Sequence, residues 1–208
     1  MPLLLLIRHG ENEYVKTNKL AGQLPDVHLN ERGRQQVADL AAALKDVPLK
    51  AIYASPLERA VETAEEIVVG RKLEIQLRPT LMDNDIGTWQ GRTLKQLRRI
   101  KKWKIVQQAP SRFRFPGGES FLETQTRVVS CLDEIVASNK PKDIVAVVFH
   151  ADPIKLAVAY YLGMPLDHFQ RLGCDTASVT VLYLSETGAH LIKLNQGPPF
   201  DLLSKQKK

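Results

Sequence analysis

Apolar and polar positions alternate along this chain with two different periods. Leu3–Ile7 is an unbroken apolar run, the pattern of a central strand covered on both faces. After Asn30, a residue suited to cap a helix, Val37, Leu40, Ala41 and Leu44 recur at helical spacing. Ala51–Ala54 predicts a second short strand. Ser55-Pro56-Leu57-Glu58 then supplies a capping hydroxyl, a proline for the first helical position and a capping-box glutamate. That helix runs through Val61, Ala64, Ile67 and Val68 to Gly70, and a third strand is predicted at Glu74–Leu77. Leu94 to Gln107 has the pattern of one basic amphipathic helix. Ser120-Phe121-Leu122-Glu123 is a second capping box, opening a helix to about Ser138. Ile144–Phe149 is valine-rich and predicts another deeply buried strand, after which Pro153 and Gly163 bracket a helix. Ala177–Leu184 and His190–Leu194 predict a closing antiparallel pair about a turn at Glu186-Thr187-Gly188.

Strands alternating with helices predict an α/β domain on a largely parallel sheet. The chain has no internal repeat and no linker, and 208 residues suit one domain, so a single domain over 1–208 is expected. Composition changes little here: 44% hydrophobic and 25% charged residues are ordinary for a protein with a core. Met1 to Ile7 is too short for a membrane span and lacks a basic leader and a cleavage site, so a signal peptide is not expected. Cys131 and Cys174 have neither metal-ligand nor paired-redox spacing, which fits a reducing compartment and a cytoplasmic protein. The net charge is +6, and its basic residues gather in Arg92–Lys104 and in a tail of Lys205, Lys207 and Lys208. The tail reads as a solvated end, and the longer run as a solvated helix face near an anionic site. Trp103 is the only aromatic in that run, so the stacking platform of a single-strand binder is missing. No nucleic-acid or membrane partner is expected.

Arg8-His9-Gly10-Glu11 directly follows the first buried run. In open α/β sheets ligands collect beyond the carboxyl ends of strands. There Arg8 and His9 meet an anion, Gly10 lets backbone approach closely, and a guanidinium fork matches phosphate oxygens. Arg59 lies in the first turns of the helix opened by Ser55, whose N-terminus attracts anions. His150 ends the valine-rich strand. Each of these residues alone would be an ordinary loop or surface residue, and it is their matching positions past strand ends that join them. His28, His168 and His190 lack that context and read as structural.

These motifs, with Leu29-Asn30-Glu31-Arg32-Gly33, Ser55 to Ala60 with Thr63-Ala64, the Leu81–Gly91 segment and Pro116-Gly117-Gly118-Glu119-Ser120, resemble the phosphoglycerate mutase-like histidine phosphatase superfamily from about Leu3 to Leu184. The resemblance implies a three-layer α/β/α sandwich on a mostly parallel mixed sheet, with a lid-like insertion around residues 85–118. It implies phosphoryl transfer through a phosphohistidine, with no metal and no cofactor. Residue by residue it implies His9 as nucleophile, with Arg8, Arg59 and His150 around the phosphate. Asp83 stands where the family commonly has the proton-donating glutamate of Leu-x-Glu, and Asp85 and the more distant Asp152 are rivals for the role. Asn12 and Val15 replace the family's usual Thr and Asn, so a phosphate contact is lost or passes to Asn12, Lys16 or Asn18. Ala151 replaces the glycine that usually follows the second histidine.

The chemistry asks for a neutral His9 ring whose other nitrogen donates to a backbone carbonyl, and for Arg8, Arg59 and a protonated His150 on the non-bridging oxygens. The arginines supply the positive charge, so activity is expected to survive EDTA. The expected activity is hydrolysis of a small phosphorylated metabolite, because only the segment from Gly87 to Gly118 and a short tail could exclude water. Mutase-type transfer and a catalytically weak phospho-ligand binding module are the alternatives. The substrate and the oligomeric state stay open.

Overall fold

In the computed structural model, which describes residues 1–185 and 187–199, the first apolar run forms strand β1 (Leu3–Arg8). The short helix α1 (Glu13–Lys16) follows, and Asn30 caps α2 (Glu31–Leu44) by accepting from the Gly33 amide at 2.8 Å. Next come β2 (Leu49–Ala54), α3 (Glu58–Val68) and the short β3 (Ile75–Leu77). Helices α4 (Leu94–Leu97) and α5 (Trp103–Gln108) precede α6 (Phe121–Ser138), which opens on the expected capping box of Ser120 and Glu123. Then β4 (Ile144–Phe149), α7 (Ala151–Tyr161), β5 (Val179–Ser185) and β6 (Gly188–Gln196) complete the order. Glu186 of the expected closing turn and the basic tail residues Lys205, Lys207 and Lys208 lie outside the described residues.

The six strands form one mixed sheet in the order β3-β2-β4-β1-β5-β6. β1, β2, β3 and β4 run parallel, and β5 is antiparallel to both of its neighbours. Successive side chains of β1 point to opposite faces. Leu5 and Ile7 meet Val37 and Leu40 of α2 and Ala60 and Ala64 of α3, whereas Leu4 and Leu6 meet Val128 and Leu132 of α6 and Ile154 of α7. With helices on both sides no position of β1 needs to be polar, which is why its sequence is unbroken. This is the three-layer sandwich that the motifs implied. A third cluster gathers Trp89, Phe113, Phe115, Phe121 and Phe169 with Leu97 and Val106. Among the described residues no helix is long and apolar enough to cross a membrane.

The single basic helix expected over Leu94 to Gln107 is instead two, α4 and α5, with turns between them. Leu97 and Val106 both bury in the aromatic cluster, yet in one continuous helix they would stand on opposite faces. The four cations Arg98, Arg99, Lys101 and Lys102 also repel one another at helical spacing, which weakens a helix at that point.

Strand register sets the site. Arg8 pairs with Phe149, and Ala54 with Val148. The residues that follow these pairs, His9, His150 and Ser55, therefore leave the sheet side by side.

Candidate active site

His9 is 3% exposed, and its Nδ1 lies 2.7 Å from the Gly10 carbonyl oxygen. A carbonyl oxygen can only accept, so Nδ1 carries the proton and Nε2 keeps its lone pair. Burial, reinforced by the positive charges of Arg59 and Arg8, holds the ring well below the ordinary histidine value. The ring is thus neutral, as a nucleophile requires. The close approach expected of Gly10 exists, but toward α2 rather than a ligand. A Cβ there would come within 2.7 Å of Gly33 O and Val37 Cγ2, and the Gly10 amide donates to Thr63 Oγ1 at 3.1 Å.

Both arginines are held by backbone carbonyls. Arg8 Nη1 donates to Cys174 O at 2.6 Å and Arg59 Nη2 to Gly22 O at 2.7 Å. That leaves Arg8 Nε and Arg59 Nη1 as buried donors without a partner. Arg59 is 1% exposed, and among the described residues its one carboxylate at ion-pair distance is Asp83, 3.3 Å away. A buried guanidinium with so little compensation is costly alone, and an oxyanion beside it offsets that cost.

One sequence expectation changes at the second histidine. Ser55 does not cap α3: the N-cap is Leu57, with no side-chain hydrogen bond. The Ser55 hydroxyl sits 2.9 Å from His150 Nε2 instead, because β2 and β4 end next to each other. The protonated form was expected around a bound phosphate; without one, burial first, then the charge of Arg59, hold His150 well below the ordinary value. In the free protein it is therefore neutral. Its Nδ1 is buried and unpartnered, 3.8 Å from Asp83 Oδ2, and its ring centroid lies 5.2 Å from that of His9.

The three candidate acids separate cleanly. Asp83 lines the same cavity as His9, Arg8 and Arg59. Burial raises its pKa, with the like charge of Asp152 adding to the effect and Arg59 opposing it. Asp85 instead accepts from the Gly87 amide at 3.0 Å, closing a turn. Asp152 lines the cavity but is paired with Lys155 at 2.7 Å. Asn12 also faces the cavity, while its Oδ1 caps α1 by accepting from Val15 N at 2.9 Å.

The cavity measures about 510 Å³, much more than a phosphate occupies. Beyond His9 its wall includes Trp89, Trp103 and Phe115, with Lys19 and Arg98 among its cations. Among the described residues no three His, Cys, Asp or Glu side chains come together as a metal-binding group.

Residues 4–197 match the sequence profile of the histidine phosphatase superfamily (branch 1). The chain belongs to this superfamily. It is 32% identical over 200 residues to phosphoserine phosphatase 1 of Hydrogenobacter thermophilus, covering 94% of this chain and 92% of that one. It is 29% identical over 183 residues to the 2,3-bisphosphoglycerate-dependent phosphoglycerate mutase of Thermoplasma acidophilum, covering 88% and 87%. Among solved structures, a mycobacterial glucosyl-3-phosphoglycerate phosphatase with VO3 superposes with a TM-score of 0.86 at 28% identity, covering 95% of this chain and 100% of that one.

Two residues of this histidine phosphatase site were given no site role by the sequence. Ser55 read as a helix cap, and only the register of β2 against β4 shows that its hydroxyl faces His150. Asn84 is buried and lines the cavity beside Asp83, 3.5 Å from Asp152 Oδ2. Its position next to Asp83 was the one available signal.

Proposed function

We propose that this chain is a phosphomonoester hydrolase that forms a phosphohistidine on His9 and acts on a small phosphorylated metabolite. The observation that carries this reading is the buried His9, with Nδ1 tied to the Gly10 carbonyl and Nε2 left as a nucleophile beside two unpartnered guanidinium donors. In the first step the Nε2 lone pair forms an N–P bond while the P–O bond to the leaving group breaks. Arg8 and Arg59 hold the non-bridging oxygens, and Asp83 gives its proton to the departing alkoxide. In the second step water attacks phosphorus, the N–P bond breaks, and the Asp83 carboxylate takes the water's proton. Phosphate and the starting enzyme result. His150 enters neutral, and the arriving dianion favours its protonation.

Residues 85–118 act as a lid over the leaving group. The Trp89, Trp103 and Phe115 wall with Lys19 and Arg98 suits a leaving group that has an apolar body and an anionic end. The same concave site favours a small anion over nucleic acid or a membrane surface as the partner, in a cytoplasmic setting.

His9→Ala is expected to abolish phosphate release from p-nitrophenyl phosphate and acid-labile phosphate on the protein. Retention of either would refute the nucleophile. Mutase-type transfer has support from the Thermoplasma relative. Asp83 keeps 23% side-chain exposure, which leaves a path for water and favours hydrolysis. Steady phosphate release without a bisphosphate primer separates the two. A binding module would release none.

A further inference from the structure

The segment that carries Asp83 has neither strand nor α-helix. Only two 3-10 turns, Pro79–Leu81 and Gly87–Trp89, punctuate it. A side chain of α6 holds it. Arg127 uses its whole guanidinium fork: Nη1 donates to Thr80 O at 2.7 Å and Met82 O at 2.8 Å, and Nη2 to Asp83 O at 2.9 Å. Nη2 and Nε also grip the two oxygens of Glu119, at 2.6 and 3.0 Å. Glu119 completes the hold from the other side of the acid. Its Oε1 accepts from the Asp85 amide at 2.9 Å, and its own amide donates to Asp85 O at 2.9 Å. Gly118 packs so closely there that a Cβ would stand 2.2 Å from Asp85 O. One ion pair thus holds the backbone of residues 80, 82, 83 and 85, with Gln23 Nε2 a further donor to Asp83 O at 2.7 Å. Its side chains are only 22% and 16% exposed, so water competes weakly for these bonds.

We propose that Arg127 and Glu119 form a positioning clamp for the proton donor, setting where the Asp83 carboxyl stands relative to Arg59 and His150. Neither side chain lines the cavity, so the clamp acts through the backbone and not on substrate. The inference rests on the phosphohistidine hydrolase reading, in which Asp83 protonates the leaving oxygen. A proton donor must come within about 2.6–3.2 Å of its acceptor. A displacement of about 1 Å costs on the order of 10²-fold in rate. Lysine cannot replace the fork, because an ammonium has no planar array of five donors.

Phenyl phosphate and p-nitrophenyl phosphate test this, since the two esters are nearly alike in shape but only phenoxide needs a proton to leave. Arg127→Lys and Glu119→Gln are expected to slow single-turnover release of phenol by about 10- to 100-fold. Release of p-nitrophenolate in the same assay should change little, and KM for both esters should hold. In an Asp83→Asn background Arg127→Lys should cost nothing further, because the acid it positions is gone. Equal losses on the two esters, or an undiminished loss in that background, would show that the pair merely supports the fold and would overturn the clamp. If Arg127→Lys fails to fold, Glu119→Gln, which keeps an acceptor for the Asp85 amide, carries the same comparison. The underlying reading fails separately: the unsubstituted enzyme would release phosphate from neither ester, or His9→Ala would remain active.

Discussion

Asp83 and Asp85 differ by two positions and have the same side chain, yet the fold gives them different work. Asp85 is consumed by the Gly87 amide, whereas Asp83 faces Arg59 and His150 from a partly desolvated position that raises its pKa. Asp83→Asn is therefore expected to slow turnover by roughly 10²–10⁴-fold with phosphate binding retained. Asp85→Asn should spare that chemistry. Full activity in Asp83→Asn, with loss in Asp85→Asn, would reverse the assignment. The pH profile carries the same information. In the proposed mechanism turnover needs His9 neutral and Asp83 protonated, so it should fall at low pH as His9 gains its proton and at higher pH as Asp83 loses its own. The second limb should disappear in Asp83→Asn. At this scale Arg8, His9 and His150 were legible because each sits at the end of an apolar run, and Arg59 because it opens the helix after the next strand. The roles of Ser55, Arg127 and Glu119 were not, since His150, the carbonyls of residues 80, 82 and 83, and the Asp85 amide lie 95, 44 to 47 and 34 residues away in sequence, although Arg127 and Glu119 themselves are only 8 apart.

Elements with a local signal were readable to within a few residues. The capping box of Ser120 and Glu123 opens α6 where the sequence placed it, because both partners of a cap lie within four residues. The split of the basic segment into α4 and α5 was not readable, because it answers to a tertiary demand. Leu97 and Val106 must both reach the aromatic cluster, and periodicity within the segment contains nothing of that cluster. Phe113 tests how far the cluster organises residues 85–118, the proposed lid. It is buried against Trp89 and Phe115, with ring centroids 5.2 and 5.0 Å away, and does not line the cavity. Phe113→Ala should cost about 3–5 kcal/mol of stability in the packing that Phe113 shares. With the lid loosened, KM should rise while p-nitrophenolate release at saturation is largely kept. Thermal melting and steady-state kinetics on one preparation would show it. An unchanged KM would detach residues 85–118 from substrate binding.

For the whole molecule, the parallel strands β1, β2 and β4 collect past their carboxyl ends cationic and titratable groups from sequence positions 8 to 150, and the electrostatic cost of gathering them falls on folding. His9 and His150 are buried neutral, whereas the unfolded chain protonates both near the ordinary value of about 6.5. Both folded values are lowered, so below about 6.5 the unfolded state binds more protons than the folded one, and stability is lost as pH falls through that window. With two such groups the slope approaches about 2.7 kcal/mol per pH unit. Asp83 acts in the opposite sense. Its folded value is raised, so its contribution is present at low pH and fades as pH rises through that value. Denaturant unfolding between pH 7.5 and 5, windows chosen to straddle about 6.5, should therefore show falling stability, with a smaller slope in His9→Asn and in His150→Asn. A flat profile would mean that the rings are not held neutral. Inorganic phosphate should add about 2.7 kcal/mol at a hundred times its Kd. Because a bound dianion favours protonated His150, phosphate should also move the onset of acid destabilisation to lower pH. That coupling would be missing if the anion bound anywhere other than between His9, His150 and the two arginines.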